Sequence, residues 1–277
     1  MKTLVIGPVP PYRAGIAYCT MRLAQELDAE VISFRRQFPR MFYPGSSDVD
    51  ATLPRFEGGR FLLDIVNPLT WLRTAFAIRR ERPDAVILVW WVWVWALPYL
   101  TLLALLPRPT RVILQCHNIG DKEPAAWKRV LTNLVLRRGD LLVVHAKSEA
   151  EDAARRLGPG VIPGEPRVIL SEAKDLPARN GEGPSPSSRL RMTSGGAPQI
   201  VTTFLPVHEL GGAIPPRADA RRTLDLQGNV ALFFGHVRPF KGLDVALRAW
   251  RLLTADVTLV VAGEAWWKGE AEYRALA

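Results

Sequence analysis

Short apolar runs alternate with amphipathic segments along most of this chain, and this alternation constrains the fold more than any other feature. The runs that predict strands lie at 3–6, 30–34, 85–89, 111–115, 141–145, 200–204, 230–234 and 257–262. Between them, apolar residues recur at helical spacing, as they do at Ile16, Thr20, Leu23, Ala24 and Leu27. Several runs are almost wholly apolar, which is typical of strands buried on both sides. The pattern predicts an α/β fold of parallel sheets with helices on both faces.

Length, charge and cysteine content narrow the class of protein. The chain has 277 residues, which is enough for one large domain or two modest ones. Its formal net charge of +9 favours anionic partners such as nucleic acid, an acidic membrane surface or phosphorylated substrates, although it also serves solubility. Cys19 and Cys116 form no metal-like pattern, and the first residues do not read as a signal peptide. We therefore expect a cytoplasmic protein with reduced cysteines.

One uncharged stretch, from Ala85 to Pro107, is long enough to span a bilayer and is rich in tryptophan. Pro98 lies in its middle, and its first part consists largely of β-branched and aromatic residues. We interpret it as a buried strand at 85–90, a short loop and an apolar helix at 97–106. The alternatives are a membrane-inserted segment, or tryptophans that lie in a lipid interface.

The alternation of predicted strands and helices is interrupted between residues 159 and 198. Gly, Pro, Ser and Arg dominate there, so we predict a disordered insertion at about 166–199. A second α/β pattern begins near Asn229, with a strand, a helix and a further strand. We predict a first Rossmann-like domain at 1–207 and the start of a second at 208–277. The second is expected to be incomplete, because so few elements cannot close a doubly wound sheet.

Polar and glycine residues follow two predicted strands of the first domain. Gly15 closes the loop after the first strand, where a helix begins, and ligands bind at the carboxyl ends of strands in such sheets. That loop lacks the GxGxxG pattern, which disfavours an NAD enzyme. His117 and Asn118 follow the strand at 111–115, and His145 ends the strand after it. Imidazole and amide groups there can bind sugar hydroxyls or phosphate, but they can also serve as structural caps.

The sharpest signal lies in the second domain, in a loop bounded by Gly235 and Gly242. The loop carries Arg238 and Lys241 between a strand and a helix. Two cations there suit a diphosphate leaving group, because Arg offers a planar fork for phosphate oxygens and Lys adds a point charge. A solvated loop is the alternative.

These segments resemble family 4 glycosyltransferases, which have the GT-B fold of two Rossmann-like domains and mostly retain anomeric configuration. The resemblance rests on residues 234–244 and on Val-Val-Ala-Gly-Glu at 260–264. It also rests on the Pro/Gly loop that ends at Gly15, on Gln-Cys-His-Asn at 115–118, and on Val-Val-His at 143–145 with Ser148 and Glu149 beyond it. It covers almost the whole chain outside about 166–199.

The resemblance implies roles for individual residues. Arg238 and Lys241 would contact the donor pyrophosphate, His117 would lie near the transferred sugar, and Gly15 would lie near the donor phosphates or the acceptor. The remaining donor and acceptor contacts would come from Asn118, Gly235, Gly242, Gly263 and Glu264. The family's Glu-x7-Glu region, which holds the nucleotide ribose and the donor sugar, is expected beyond residue 277. Glu264 and Glu270 do not match it.

The implied reaction is retaining transfer of a hexosyl-type sugar from a nucleotide sugar to the hydroxyl of a saccharide or lipid-linked glycan, as in polysaccharide biosynthesis. The nucleotide sugar is a co-substrate, and neither a cofactor nor a metal is expected. Arginine clusters and the tryptophan-rich segment favour contact with an anionic membrane at the inner face of the cell membrane. No nucleic acid partner is expected, because basic and aromatic residues are not interleaved on a strand. The alternatives are an inactive truncated remnant and a membrane-associated scaffold.

Overall fold

The chain forms two compact units that are described one at a time. The structure, a computed structural model, describes residues 1–13, 15–39, 43, 47–120, 125–158, 161, 198–205, 213–264 and 270–276. The first unit comprises Met1–Pro39 and Val49–Val207, and the second comprises Arg40–Asp48 and His208–Ala277. The predicted insertion at about 166–199 lies outside the described residues except for Pro198 and Gln199, and Gln199 begins a strand.

A seven-stranded sheet in which every pairing is parallel forms the first unit. Its strands are β1 Thr3–Ile6, β2 Glu30–Arg36, β3 Gly59–Asp64, β4 Ala85–Trp90, β5 Arg111–Cys116, β6 Leu141–Val144 and β7 Gln199–Thr202. Its helices are α1 Gly15–Glu26, α2 Pro68–Glu81, α3 Ala96–Leu105, α4 Ala126–Leu136 and α5 Lys147–Leu157. The helices cover both faces, as the sequence pattern predicted.

The strand order is β3-β2-β1-β4-β5-β6-β7, so the direction of winding reverses between β1 and β4. The two strands pair in register from Thr3 opposite Ala85 to Ile6 opposite Leu88. Every residue of β4 is buried, which explains why its sequence is apolar without alternation. This central pair brings the loops after β1 and β4 to one edge of the sheet.

The second unit contains a two-stranded parallel sheet of β8 Asn229–Phe234 and β9 Val257–Ala262. Its described helices are α6 Arg217–Thr223, α7 Leu243–Trp250 and α8 Glu270–Leu276. A small core joins this sheet to α7 and α8: the side chains of Val237, Leu243, Leu247 and Tyr273 are buried in it, whereas α6 buries no residue. Val237 belongs to the loop after β8, so packing anchors that loop to the helices.

Two elements that the sequence analysis missed, β3 and α2, follow one another in the chain. β3 is an edge strand that begins with glycine and contains three apolar residues, so its apolar pattern is weak. α2 starts where the Asn67 side chain accepts a hydrogen bond from the Leu69 amide at 3.1 Å, and Pro68 occupies the first turn. Its helical periodicity is obscured because its outer face also carries exposed apolar residues. The short helix α6 was also missed.

The tryptophan-rich stretch folds as a strand and a helix, which was the first of the predicted alternatives. β4 is followed by a short 3-10 helix, Trp93–Trp95, and then by α3. Trp90 and Trp95 are completely buried in the core. None of the helices in the described ranges combines the length and the hydropathy that crossing a membrane requires.

The close approach of β1 and β4 gives a stability prediction. A Cβ added at Gly7 would lie 2.6 Å from Cγ2 and 2.8 Å from Cβ of Val89. We expect Gly7→Ala to lower the free energy of unfolding by roughly 1–3 kcal/mol, as overpacking does in buried cores. Urea denaturation measures the change.

The matched comparison is a double-mutant cycle with Val89→Ala, which removes the Cγ2 that the new methyl group would meet. We expect the double variant to lose less stability than the sum of the two single losses. Simple additivity would show that the two positions do not compete for the same space.

Candidate functional site

The carboxyl edge of the first sheet gathers the loops that follow β1, β4, β5 and β6. Because all these strands are parallel, their carboxyl ends lie at the same edge. The strand order reverses between β1 and β4, and ligands of open α/β sheets bind beside such a reversal. Gly15 is the first residue of α1, directly after the β1 loop. His117 and Asn118 follow β5, and His145 follows β6.

His117 is held in place by its backbone and not by its ring. Its amide donates a hydrogen bond to the carbonyl oxygen of Trp90 at 2.8 Å, which extends the pairing of β5 with β4. The neighbouring Asn118 donates from Nδ2 to the carbonyl oxygen of Trp91 at 3.4 Å, and it is exposed. The imidazole of His117 lies beside that of His145, with ring centroids 4.9 Å apart.

The ring of His117 is neutral at physiological pH. Burial and, to a smaller extent, the nearby His145 ring lower its pKa to about 3. Burial also lowers the pKa of His145, against a smaller opposing effect of the Thr203 backbone. The Nε2 atom of His117 is buried without a hydrogen-bond partner among the described residues. A neutral imidazole with an unused nitrogen can donate to, or accept from, a ligand hydroxyl.

Gln115 adds a second polar group at the end of β5. Its side chain is buried, and its Oε1 atom has no hydrogen-bond partner in the described part of the chain. Buried polar groups without partners are uncommon and call for an explanation such as a ligand or a water molecule. Its signal in the sequence is a glutamine that follows the apolar run Val-Ile-Leu in β5, where it belongs to the Gln-Cys-His-Asn segment.

Aromatic rings line the interior beside this edge. The rings of Phe34 and Trp95 have centroids 4.1 Å apart, and those of Phe34 and Trp91 are 5.7 Å apart. The Tyr12 hydroxyl donates a hydrogen bond to the Phe34 carbonyl oxygen at 2.9 Å. These contacts fix the end of β2 and the β1–α1 loop against the segment after β4, so the edge is rigid on that side.

A cavity of about 560 Å³ lies beside the β1–α1 loop. Its lining includes Tyr12, Tyr18, Gln25, Arg55 and Phe56, which come from that loop, from α1 and from the segment before β3. The volume falls within the roughly 300–1,000 Å³ that is usual for small-molecule sites. Sequence reasoning missed this cavity because its walls come from segments that are distant in the chain.

The second unit has its own carboxyl edge, formed by the ends of β8 and β9. Gly235 and Gly263 follow these strands, and a side chain at Gly263 would overlap the carbonyl oxygen of Gly235. The amide of Val237 donates to the carbonyl oxygen of Glu264 at 3.0 Å and joins the two loops. Gly235 and Gly242 have φ of 110° and 74°, values that favour glycine. The glycines therefore let the backbone turn tightly at this edge.

Arg238 and Lys241 occupy the turn between β8 and α7. The Lys241 amide donates to the Arg238 carbonyl oxygen at 2.9 Å and closes a 3-10 turn at Pro239–Lys241. Arg238 is partly buried, and its guanidinium carbon lies 5.9 Å from the centroid of the Phe240 ring. Burial lowers the pKa of Arg238, and Tyr43 opposes that shift. Lys241 is exposed. The turn thus presents two cations next to the start of α7, where anions are favoured.

The structure brings the predicted site residues together in two groups. Gly15, His117 and Asn118 belong to the first unit and lie at the carboxyl edge of its sheet. Gly235, Arg238, Lys241, Gly242, Gly263 and Glu264 lie at the corresponding edge of the second unit. Their roles in binding or catalysis stay predictions.

Comparison with solved structures identifies the architecture. Anabaena HepE, whose structure was determined in complex with UDP and glucose, matches the whole of this chain with a TM-score of 0.54 at 12% sequence identity. The chain has the GT-B fold. It spans 65% of the length of HepE. No protein-family model and no curated protein matches the sequence.

Two other solved structures show weaker likeness. The α,α-trehalose 6-phosphate synthase of Burkholderia multivorans matches 99% of this chain and 66% of its own, with a TM-score of 0.47 at 11% identity. MurG of Acinetobacter baumannii matches 100% of this chain and 62% of its own, with a TM-score of 0.40 at 13% identity.

The low pKa of His117 gives a pH-dependent prediction. Between about pH 3 and pH 6.5 the unfolded chain binds a proton at this histidine and the folded chain does not, so stability falls as the pH falls through that range. The slope for one such group is at most about 1.4 kcal/mol per pH unit. We expect His117→Asn to flatten the wild-type dependence by roughly 3 kcal/mol between pH 7 and pH 4.

Urea denaturation at a series of pH values measures this difference. Asn118→Ala is the matched control, because it changes the adjacent side chain without removing a titrating group. Equal pH dependence of the wild type and His117→Asn would show that folding does not lower the pKa of His117.

Proposed function

We propose that this protein is a glycosyltransferase of the family 4 type, which transfers a sugar from a nucleotide sugar to an acceptor hydroxyl. One observation carries the proposal: within a GT-B fold, Arg238 and Lys241 lie together in the glycine-bounded turn at the carboxyl edge of the second sheet. HepE has the same fold and was determined with UDP and glucose. The donor nucleotide is assigned to the second unit and the acceptor to the first.

The turn after β8 suits a pyrophosphate. Its two cations stand beside the start of α7, whose first amides lack helical partners. The guanidinium of Arg238 is partly buried, so its charge is less screened by water than that of an exposed side chain. The buried side chain of Val237 and the hydrogen bond from its amide to Glu264 hold this turn before any ligand binds. Preorganised charge of this kind stabilises a leaving group as negative charge develops on it.

The cavity beside the β1–α1 loop suits the acceptor. Aromatic rings from Tyr12, Tyr18 and Phe56 offer faces for sugar rings, while Arg55 and Gln25 offer polar groups for hydroxyls. We propose a saccharide or a lipid-linked glycan as the acceptor.

The proposed reaction retains the anomeric configuration. The bond from the anomeric carbon to the diphosphate oxygen breaks, and a bond from the acceptor oxygen forms on the same face. The acceptor proton passes to the departing phosphate oxygen. Arg238 and Lys241 stabilise the negative charge of the departing diphosphate. His117, neutral and with an unused Nε2, hydrogen-bonds a hydroxyl of the transferred hexosyl-type sugar.

The proposal includes neither a cofactor nor a metal ion, since the two cations supply the positive charge. It places the protein in the cytoplasm, in polysaccharide biosynthesis, with contact at the inner face of the cell membrane. Trp90 and Trp95 do not provide that contact, because both side chains are buried in the core.

Binding of a nucleoside diphosphate tests the donor site. We expect titration calorimetry on the full chain, with UDP, ADP and GDP in turn, to reveal binding of at least one of them. Arg238→Ala should weaken that binding at least tenfold, because a charge-assisted hydrogen bond contributes about 1.5–3 kcal/mol. Lys241→Ala should weaken it less, since Lys241 is exposed.

Arg217→Ala is the control for net charge, because it removes one exposed arginine from α6. It should bind the nucleotide like the wild type. Unchanged affinity of the Arg238→Ala variant for the nucleoside diphosphate would refute the proposed contact between Arg238 and the pyrophosphate.

A kinetic split tests the role of His117. We expect His117→Asn to lower kcat for sugar transfer roughly 10- to 100-fold while the affinity for the nucleoside diphosphate is unchanged, since the ring is assigned to the sugar and not to the diphosphate. Proton NMR of the product, taken early in the reaction, reports its anomeric configuration. An inverted product would refute the retaining course, and a changed nucleotide affinity would refute the separation of roles.

A further inference from the structure

A large basic pocket lies at the amino edge of the first sheet, opposite the edge that carries His117. Its volume is about 1430 Å³. Its walls come from Met1 before β1, from residues 82–84 before β4, from residues 107–111 before β5, and from the ends of α2 and α3. None of the residues assigned to sugar transfer lines it.

Five arginines line this pocket: Arg79, Arg80, Arg82, Arg108 and Arg111. The only carboxylate in the lining is that of Asp84, which accepts a hydrogen bond from the Lys2 amide at 2.7 Å. Arg80, Arg82 and Arg108 are exposed and form no ion pair with any described residue. The carbonyl ends of α2 and α3 add partial negative charge here, but Arg79 donates to the Leu105 carbonyl oxygen at 3.4 Å and offsets it. The pocket therefore carries a large excess of positive charge.

Exposed apolar side chains adjoin the pocket on the outer faces of the helices. Phe76, which lines the pocket, is 52% exposed, and Leu69 and Leu72 lie on the same face of α2. α2 contacts α3, where Leu97 is 56% exposed, and α3 contacts α4. The outer face of α4 exposes Trp127, Val130 and Leu134 at helical spacing. We call this surface, with the pocket, the α2–α4 face.

Acidic residues are almost absent from the same helices. α2, α3 and α4 contain one carboxylate, Glu81, which is paired with Arg60 at 2.5 Å and so is neutralised. An apolar surface that is bordered by unpaired arginines and has few carboxylates complements the two layers of an anionic bilayer, with acyl chains beneath phosphate headgroups.

We propose that the α2–α4 face docks on an anionic lipid bilayer, with the arginine pocket binding phosphates of the lipid headgroups. A soluble phosphate compound would use the arginines but would leave Phe76, Leu72 and Leu97 exposed to water, whereas a bilayer covers both. The inference does not depend on sugar transfer, because the donor turn and the His117 edge contribute nothing to this face.

Vesicle sedimentation with the full chain tests the proposal. We expect binding to vesicles of phosphatidylglycerol mixed with phosphatidylcholine and none to phosphatidylcholine alone. Replacing Arg80, Arg82 and Arg108 together by glutamine should weaken partitioning about a hundredfold, since each arginine near an anionic surface contributes roughly a fivefold factor. Phe76→Ser with Leu72→Ser should weaken the binding that remains in high salt.

The matched control replaces Arg22, Arg217 and Arg248 by glutamine, which removes the same charge outside the pocket. This control should keep vesicle binding within about threefold of the wild type. An equal loss of vesicle binding in both triple variants would show that the protein is attracted by its overall charge and would refute headgroup binding by the pocket arginines. Stabilisation by soluble pyrophosphate that depends on the pocket arginines, without vesicle binding, would overturn the lipid assignment.

A fluorescent label keeps the test independent of the folding of the arginine variant. Cys19 and Cys116 are buried, so an environment-sensitive dye can be attached selectively to a Phe76→Cys variant. We expect its emission to shift to the blue on vesicles that contain phosphatidylglycerol. The same dye on Leu224→Cys, at an exposed position of the second unit, should not respond. A shift in emission at position 224 without one at position 76 would refute docking through the α2–α4 face.

Discussion

The parallel pairing of β1 with β4 is the contact on which the first unit depends. From β1 the chain winds towards β2 and β3, and from β4 it winds towards β5, β6 and β7, so the loops after these two strands diverge. Their divergence leaves an opening at the carboxyl edge, and the extension of β5 places His117 beside it. The close packing of Gly7 against Val89 keeps the two strands together at that point.

Burial lowers the pKa of a basic group at both candidate sites, but it changes the charge state only at the first. In the first unit it removes charge, because desolvation lowers the pKa of His117 and leaves its ring neutral. In the second unit Arg238 is only partly buried and stays cationic, and the exposed Lys241 adds a second charge. A neutral edge suits sugar hydroxyls and a cationic turn suits phosphates, and the proposed transfer from a nucleotide sugar rests on this division.

The tryptophan-rich stretch is buried, as its interpretation as a strand and a helix predicted, and the exposed apolar surface lies elsewhere. Tryptophan is concentrated at 90–95, yet Trp90 and Trp95 are interior residues that pack against Phe34 and Tyr99. The exposed apolar surface instead comes from α2, α3 and α4, where single leucines, phenylalanine and Trp127 at helical spacing meet on neighbouring helices. Their arrangement beside an arginine pocket is the basis of the proposed lipid-binding surface.

The sequence by itself determined the α/β class, most strands to within two residues, and the strand ends at which Gly15, His117, Arg238 and Lys241 lie. These features are local, because apolar periodicity and glycine-bounded turns are set by neighbours in the chain. It did not reveal β3 or α2, whose patterns are weakened by an edge position and by apolar residues on the outer face. Only the tertiary structure decided that Gln115 and His117 keep unused polar atoms, and that Arg80 and Arg108 share a pocket. Burial and shared cavities depend on segments that are far apart in sequence, and strand order alone brings those segments together.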